Sequence, residues 1–262
     1  MRSLSIAATG MLAQETNVEV ISNNIANMNT TAFKTQRAEF QDLLYQNLRR
    51  IGSSTSDSGT VVPAGIQVGV GVKTGGVYRI TQQGNLTSTS NTFDTAIQGR
   101  GYFQIQLPGN ATAYTRDGSF QLSPTGQIVT QDGYLVQPTI SLPANTTNIT
   151  ISQTGQVQAT IGGAQAPTVV GQIQLATFLN DAGLDAIGNN LFDESAASGP
   201  ATAGNPGNPG YGVVMQGYTE ASNVDPVSEI TNLIIAQRAY EMNSKVVTTA
   251  DQMLSTAVTT KT

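Results

Sequence analysis

Three residue types are missing from this chain of 262 residues: cysteine, histidine and tryptophan. Without cysteine there is no disulfide, no thiolate nucleophile and no cysteine-ligated zinc or iron–sulfur site. Without histidine, Ser-His-Asp and Cys-His catalysis and histidine-ligated metals are excluded as well. We therefore expect no cofactor, no metal and no catalytic residues of these classes.

Charge is also scarce, because charged residues make up 11% of the chain and the net charge is −5 at pH 7. Nucleic-acid binding requires clustered Lys and Arg, so nucleic acid is not an expected partner. A weakly charged, polar surface suits a protein that packs against many copies of itself, since like charges would oppose that packing.

No segment approaches the ~20 consecutive apolar residues that a bilayer-spanning helix needs. Residues 1–13 contain an apolar region, but Ser, Thr and Gly dilute it and no tidy cleavage site follows. We expect this segment to remain as part of a helix, so that any export uses a route without a cleaved signal peptide.

The N-terminal segment 1–34 carries a helical hydrophobic pattern with Ser3 as the predicted N-cap. Apolar or small residues recur in steps of three and four, which is typical of a coiled-coil seam. Asparagines crowd the expected helix end near Asn27 and allow two interpretations: a frayed end, or amides that fix the register of neighbouring chains. The stripe consists of Leu4, Ala7, Met11, Gln14, Val18, Ile21, Ile25 and Met28.

Residues 35–76 are predicted to form an extended connector. Residues 33–50, which overlap the start of this connector, keep some helical pattern. The polar residues 52–60 are typical of a flexible linker. Strict alternation over residues 66–73 then predicts a strand.

Residues 77–216 are predicted to be all-β, because short alternating runs such as 103–107 and 173–178 are bounded by turn residues. Asp117-Gly118 and Asp132-Gly133 are typical hairpin turns. Residues 122–128 resemble residues 151–157, which indicates recurring hairpins in a meander or open barrel. Residues 193–210 are expected to form a long loop.

The C-terminal segment 217–262 contains a second long helix that opens at Asp225-Pro226, with Asp as N-cap and Pro in the first turn. This helix is long and amphipathic, which favours pairing with the N-terminal helix. Its stripe consists of Ile230, Leu233, Gln237, Tyr240, Ser244, Val247 and Leu254, and it is widened by Ile234, Val246, Ala250 and Met253. The predicted fold class is α+β: long N- and C-terminal helices paired as a coiled-coil-like domain, with an antiparallel, hairpin-rich β-domain between them. An ordinary intramolecular hairpin that serves its own core is the alternative for the two helices.

Three segments of the chain resemble the flagellar rod and hook axial proteins: the asparagine-rich residues 22–34, and residues 222–226 and 236–245. Ala32 stands where that family usually has Gly. Residues 62–71, 99–103 and 113–120 are most similar to the distal rod members, whose extra stiffening segment corresponds to residues 46–65 here.

The resemblance implies a subunit that polymerises helically, with paired terminal helices lining the inside of a tube and β-domains outside. It implies a periplasm-spanning basal-body location and export through the flagellar type III machinery. Expected partners are further copies of the chain, other rod proteins and the hook protein at the two ends, and ring bushing proteins around the rod. A proximal rod or hook subunit is the alternative within the family.

The expected subunit-interface residues lie on both terminal helices and in the asparagine-rich turn. Because isolated amphipathic termini cannot bury their stripes, we expect them to be largely disordered in the monomer and to fold on assembly. These residues are Leu4, Met11, Val18, Ile21, Asn24, Ile25, Asn27, Met28, Asn29, Phe33, Ile230, Leu233, Ile234, Gln237, Tyr240, Asn243, Val247 and Leu254.

Two other function classes fit parts of the sequence. A secreted β-domain binding module would leave the long helices unexplained. A carboxylate-based cell-wall glycosidase would need two acids at ~5 to 9.5 Å, and spacing reveals no such pair. The available acids are Asp94, Asp117, Asp132, Asp181, Asp185, Asp193 and Glu194.

Overall fold

The computed structural model describes residues 2–49, 65–162 and 166–260. The chain divides into two compact units. The helical unit contains Met1–Ala26, Gln36–Tyr78 and Asp225–Thr262, and the β-unit contains Asn27–Thr35 and Arg79–Val224. Of the stretch 46–65 that the resemblance singles out, residues 50–64 lie outside the described residues.

The helical unit consists of two long helices and four strands. Strands β1 and β4 pair with each other, and β2 pairs with β3 in antiparallel register. In the part of the chain that is described, neither helix is long and apolar enough to cross a membrane. The elements are α1 (Arg2–Ala26), β1 (Gln36–Asp42), β2 (Tyr45–Arg49), β3 (Ile66–Gly69), β4 (Val72–Arg79) and α2 (Pro226–Thr259).

The helical pattern expected over residues 33–50 is wrong, because β1 and β2 occupy this region. In β1 the half-buried Ala38 and Phe40 alternate with the exposed Arg37 and Glu39. A period of two is the pattern of a strand with one covered face, and it prevails over the weaker helical spacing.

The two helices begin differently. At α2 the Asp225 carboxylate accepts a hydrogen bond from the Val227 N–H at 3.3 Å, and Pro226 occupies the first turn, which confirms the predicted cap. Helix α1 is already helical at Arg2, so the expectation that Ser3 caps it is wrong. The first two turns contain no Gly or Pro, the two residues with the lowest helix propensity, so the helix can begin at Arg2.

The β-unit contains sixteen short strands within the described residues. A nine-stranded sheet has the main path β16-β17-β8-β7-β11-β10-β9, with β15 and β18 branching from β7, and β12-β13-β14 form a smaller sheet. The strands are β5 (Leu86–Ser88), β6 (Thr95–Gln98), β7 (Tyr102–Gln106), β8 (Thr112–Thr115), β9 (Gln121–Leu122), β10 (Ile128–Val129), β11 (Leu135–Gln137), β12 (Thr146–Ile151), β13 (Gln156–Ile161), β14 (Thr168–Gln172), β15 (Leu175–Thr177), β16 (Asp185–Gly188), β17 (Leu191–Asp193), β18 (Thr202–Gly204), β19 (Val213–Gln216) and β20 (Tyr218–Glu220).

The core of the β-unit has a main cluster around Phe103, Ile105 and Val157, and a smaller one of Tyr102, Tyr114 and Phe178 with their neighbours. Adjacent residues of β7 point into different clusters, as the alternation of a strand requires. Strand β18 lies within residues 193–210, so the expectation of a loop throughout that stretch is wrong.

The repeat seen in the sequence corresponds to two equivalent turns. In the first, the Gly126 N–H donates to the Ser123 carbonyl at 2.9 Å, and in the second the Gly155 N–H donates to the Ser152 carbonyl at the same distance. Gly126 and Gly155 have φ of 78° and 80°, a left-handed conformation that Gly adopts without steric cost. The repeated Thr-Gly therefore reflects one turn geometry used twice.

Candidate subunit interface

Helices α1 and α2 pair in antiparallel orientation inside the helical unit. Near the C-terminal end of α1, Asn24 Nδ2 donates to Glu229 Oε2 at 3.2 Å. Two heptads earlier on α1, a Cβ atom built on Gly10 would lie 2.9 Å from Nδ2 of Asn243 on α2. The same number of residues separates Gly10 from Asn24 and Glu229 from Asn243, so the helices keep register over roughly 21 Å.

Small residues dominate the packed face of this pair. The expected stripe and the packed face share Ala7 and Ile21, whereas Met11, Val18 and Ile25 are only half-buried. Small side chains allow two helix axes to approach closely, which leaves the larger residues of the stripe at the margin of the contact. The residues that become buried are Ala7, Ala13, Val20, Ile21 and Asn24 of α1 and Ala236 and Ala250 of α2.

Asn24 is one of the predicted interface residues, and its side chain is satisfied within the subunit. Its Oδ1 accepts from the Gln36 N–H at 2.9 Å, and its Nδ2 donates to the Gln36 carbonyl at 2.8 Å. The amide thus acts like a neighbouring strand and holds the first residue of β1 against the last turns of α1. Neither a frayed helix end nor a bond to another chain is needed to explain this asparagine.

The remaining predicted interface residues fall into two groups. Met28, Asn29, Ile230, Ile234, Gln237 and Tyr240 are exposed. Leu4, Met11, Val18, Ile25, Asn27, Phe33, Leu233, Asn243, Val247 and Leu254 are half-buried.

A second apolar row on α2 is absent from the predicted set. Ile235, Met242, Val246 and Met253 follow one another in steps of seven, four and seven, and each is between 46% and 62% exposed. This spacing places them along one helical face that stays about half exposed in the described subunit. Val246 and Met253 belong to the residues that the sequence pattern already predicts to widen the apolar stripe of α2, whereas Ile235 and Met242 were missed.

A groove of about 540 Å³ runs between the two helices at mid-length. Its floor includes Val18, Gln237 and Tyr240, and it is bordered by three exposed carboxylates. The carboxylates belong to Glu15, Glu19 and Glu241. One of these carboxylates, that of Glu241, is already paired with Arg238 at 2.8 Å.

The β-unit contains a buried ion cluster made of Lys34, Arg116 and Glu220. Lys34 Nζ donates to Glu220 Oε1, and Arg116 Nε donates to Glu220 Oε2 at 2.8 Å. Glu220 is 1% exposed, and both cations are 5% exposed. Two buried cations on one carboxylate are stable only if further hydrogen bonds satisfy the remaining donors.

The backbone supplies these further hydrogen bonds. Arg116 donates to the carbonyls of Ile97, Gly99 and Gly101 at 3.0 to 3.3 Å. The Gly84 N–H donates to Glu220 Oε1 at 2.9 Å, and Lys34 donates to the Gln82 carbonyl at 2.9 Å. The two segments 99–103 and 113–120, which carry the resemblance in the middle of the chain, therefore meet at the Arg116 guanidinium.

Burial and charge act in opposite directions on this cluster. Burial alone would raise the pKa of Glu220, but Arg116 and Lys34 together hold it below the ordinary value. Burial, with help from Arg116, lowers the pKa of Lys34 even though Glu220 opposes the shift.

The cluster holds together the segment that follows α1 and the segment that precedes α2. The Ala32 N–H donates to the Glu220 carbonyl at 2.8 Å, and the Thr35 N–H donates to Asn223 Oδ1 at 2.7 Å. Asn223 Nδ2 in turn donates to the carbonyls of Ile80 and Gln82. Residues 27–35 and 220–224 are therefore fixed side by side in the β-unit.

Ala32 has a φ of 59°, in the left-handed region that disfavours side chains. Gly, which the resemblance implies at this position, would adopt this conformation without steric cost. Sequence reasoning found Lys34 and Arg116 within motifs but missed Glu220. The only sequence signal for Glu220 is that an acidic residue stands just before the segment 222–226, Ser-Asn-Val-Asp-Pro.

Five of the seven acids considered for a glycosidase make local contacts. Asp94 accepts from Thr89 and Asn91, and Asp117 accepts from the Ser119 N–H. Asp181 pairs with Arg100, Asp132 accepts from Asn189, and Asp193 accepts from the Glu194 N–H.

Comparison with known proteins gives consistent matches along the chain. Residues 4–34 match the family described as "Flagella basal body rod protein", residues 96–159 match the "Flagellar hook protein FlgE/F/G D1 domain", and residues 215–260 match the "Flagellar basal body rod FlgEFG protein C-terminal".

Individual relatives agree with these families over nearly the whole chain. The flagellar basal-body rod protein FlgG of Caulobacter vibrioides is 65% identical over 97% of both chains. The protein of the same name from Agrobacterium fabrum is 54% identical over 97% of both chains, and the one from Buchnera aphidicola is 49% identical over 96% of both. The chain therefore belongs to the flagellar basal-body rod protein family.

Proposed function

We propose that this chain is the subunit of the distal rod and that it polymerises helically through its terminal helices. The observation that carries the proposal is the pair α1–α2, which buries small residues internally and leaves rows of Ile, Met and Tyr uncovered on α2. Exposed apolar rows of this size on one element indicate an interaction surface. The occupant that we propose is a second copy of the chain, because a heterologous contact that does not close produces a filament.

The location and partners that we propose follow from this assembly. The polymer spans the periplasm, meets other rod proteins and the hook protein at its ends, and turns inside ring bushing proteins. Export through the flagellar type III machinery without a cleaved signal is part of the proposal, as the resemblance of the terminal segments implies.

The distal assignment depends on the similarity of the middle of the chain and on relatives that carry the name FlgG. A proximal rod or hook subunit would use the same terminal helices. The stretch 46–65 is the proposed source of added stiffness. It begins within strand β2, where Leu48 is exposed.

We propose that the subunit is not catalytic. Asp117 and Asp132 both border a cavity of about 190 Å³, together with Thr115, Thr130 and Asn190. This volume is below the ~300 to 1,000 Å³ of typical ligand pockets. Besides the two acids, the lining consists of hydroxyl and amide side chains with Phe120 and Leu191.

The test is to follow far-UV circular dichroism and sedimentation together over a concentration series, with electron microscopy of the pellets. We expect filaments, and helical content that rises as they form. The double variant Met242→Gln, Met253→Gln should raise the critical concentration at least ten-fold, since each buried Met side chain contributes about 1.5 to 3 kcal/mol.

The control for this test is Val169→Gln, which removes an equally exposed aliphatic side chain from the β-unit. It should leave the critical concentration unchanged. A chain that remains monomeric with constant helical content at every concentration would contradict the proposal and favour an ordinary intramolecular helical hairpin.

A further inference from the structure

Methionine is the only residue type in this chain that carries sulfur, because cysteine is absent. Peroxide converts the methionine thioether into a sulfoxide, which turns an apolar side chain into a polar one. With no thiol to react first, mild oxidation of this chain falls on its six methionines.

Two of these methionines are more exposed than the others that the structure describes. Met242 and Met253 of α2 are each 62% exposed, and Met28 of the β-unit is 40% exposed. Met11 of α1 and Met215 of β19 are half-buried. Because the oxidant must reach the sulfur atom, these exposures predict that Met242 and Met253 react first.

Both methionines lie beside the face with which α2 packs on α1, and not within it. The packed row of α2 runs in steps of seven through Ala236, Asn243 and Ala250. The two alanines are 1% and 5% exposed, and Asn243 lies against α1. Met242 precedes Asn243 by one residue, and Met253 follows Ala250 by three. At about 100° per residue both methionines lie on the same side of the packed row, roughly 60 to 100° away from it.

This position separates the effect of oxidation on the helix pair from its effect on the outer surface of α2. The packed row contains no sulfur, so a sulfoxide at either methionine leaves the contact between the helices unchanged. The outer row that holds both methionines is the one whose burial against another copy carries the proposed function. A sulfoxide oxygen accepts hydrogen bonds, and its burial without a donor costs free energy.

We infer that Met242 and Met253 form an oxidation site that prevents a free subunit from joining the polymer. Each thioether sulfur takes one oxygen atom from hydrogen peroxide: the O–O bond breaks, an S=O bond forms and water leaves. The sulfur is oxidised by two electrons and the peroxide is reduced by two, so the reaction needs no further reagent. This inference rests on the proposed function, because it requires that the outer row of α2 is buried in the polymer.

The first measurement maps oxidation along the full chain by peptide mass spectrometry after treatment with limiting hydrogen peroxide. In dilute subunits, sulfoxide should form at Met242 and Met253 before it forms at Met28 and Met215. In preformed filaments, oxidation of Met242 and Met253 should be slowed. Oxidation of these two residues at the same rate in filaments as in subunits would show that the polymer leaves them uncovered and would refute the inference.

The second measurement compares the critical concentration of each chain before and after peroxide treatment. For the parent chain we expect a rise of roughly ten-fold or more, because two apolar side chains in the contact become polar. The far-UV circular dichroism of the dilute chain should not change. Reduction of the oxidised chain by methionine sulfoxide reductases should restore the original critical concentration.

Two variants assign the effect to these residues. The double variant Met242→Leu, Met253→Leu carries no sulfur at the site, so peroxide should leave its own critical concentration where it was before treatment. The matched control Met28→Leu, Met215→Leu keeps both methionines of α2 and should respond to peroxide as the parent chain does.

The outcomes separate this inference from the proposed function. If the parent chain forms filaments but oxidation of both methionines leaves its critical concentration unchanged, self-assembly stands and the oxidation site is refuted. A leucine variant that is as sensitive to peroxide as the parent would also overturn the inference, because another residue would then be responsible. If the untreated parent chain assembles at no concentration, the proposed function and the inference fail together.

Discussion

Replacing Glu220 with Gln tests the buried ion cluster of the β-unit most directly. The substitution keeps the shape of the side chain but leaves Lys34 and Arg116 buried without a counter-charge. Breaking a buried pair by removing one partner costs about 3 to 5 kcal/mol. At roughly 2 to 4 °C per kcal/mol for a unit of this size, we expect the melting temperature of the β-unit to fall by about 6 to 20 °C.

The assay is thermal and urea unfolding at pH 7, with the exposed Glu39→Gln as the matched control. Glu39 also faces an arginine, at 3.8 Å, but both side chains are more than half exposed. Exposed pairs contribute about 0 to 1 kcal/mol, so the control should unfold within that range of the parent. A Glu220→Gln variant as stable as the control would refute the view that this cluster holds the β-unit together.

The pH dependence of the same variant gives an independent check. The pKa of Glu220 is lowered in the folded state, so its contribution to stability is fully present above the unfolded value of about 4.5. That contribution is lost as the pH falls through the folded pKa. The stability difference between the parent and Glu220→Gln should therefore shrink in acid below pH 4.5.

Three further substitutions test the other contacts described here. Ala32→Gly should stabilise the chain by roughly 0.5 to 1 kcal/mol in urea unfolding, since it relieves a left-handed alanine, and a loss of stability would contradict the geometry. Gly10→Val should weaken the helix pair, because the valine side chain would collide with Asn243. The helical content of assembled samples should then fall. The control Ala8→Val should have little effect on helical content. Asn24→Leu should lower the stability of the helical unit by about 2 to 3 kcal/mol, because Gln36 would lose both hydrogen bonds, and an unchanged unfolding profile would rule out this role.

The elements that the sequence predicted well depend on local chemistry. Asp225-Pro226 marks the start of α2 because a capping carboxylate and a proline act on adjacent residues. The repeated Thr-Gly turns could be recognised for the same reason, since their geometry is set within five residues. The two long helices and the antiparallel β-rich middle were likewise predictable from periodicity.

The elements that were missed depend on distant partners. Glu220 meets Lys34 across 186 positions of sequence and Arg116 across 104, and no local pattern indicates such a meeting. Residues 33–50 were misread because Phe40, Leu43 and Leu48 fit helical spacing about as well as strand alternation. The pairing of β1 with β4, which lies far along the chain, decides between the two.

The difference between the expected stripe and the packed face of the helices has a consequence for assembly. Periodicity identifies an apolar face, but it does not distinguish residues that pack within one subunit from residues that remain for a neighbour. Within this subunit the contact uses mainly alanines, whose burial contributes little free energy each, while Ile235, Met242 and Met253 remain exposed. The pair alone should therefore be only weakly stable, and most of the apolar burial available to α2 would come from contacts with other copies. In dilute monomer, the helix amides should then exchange with solvent faster than those of β7 and β13, and equal protection would show that the helices are stable without assembly.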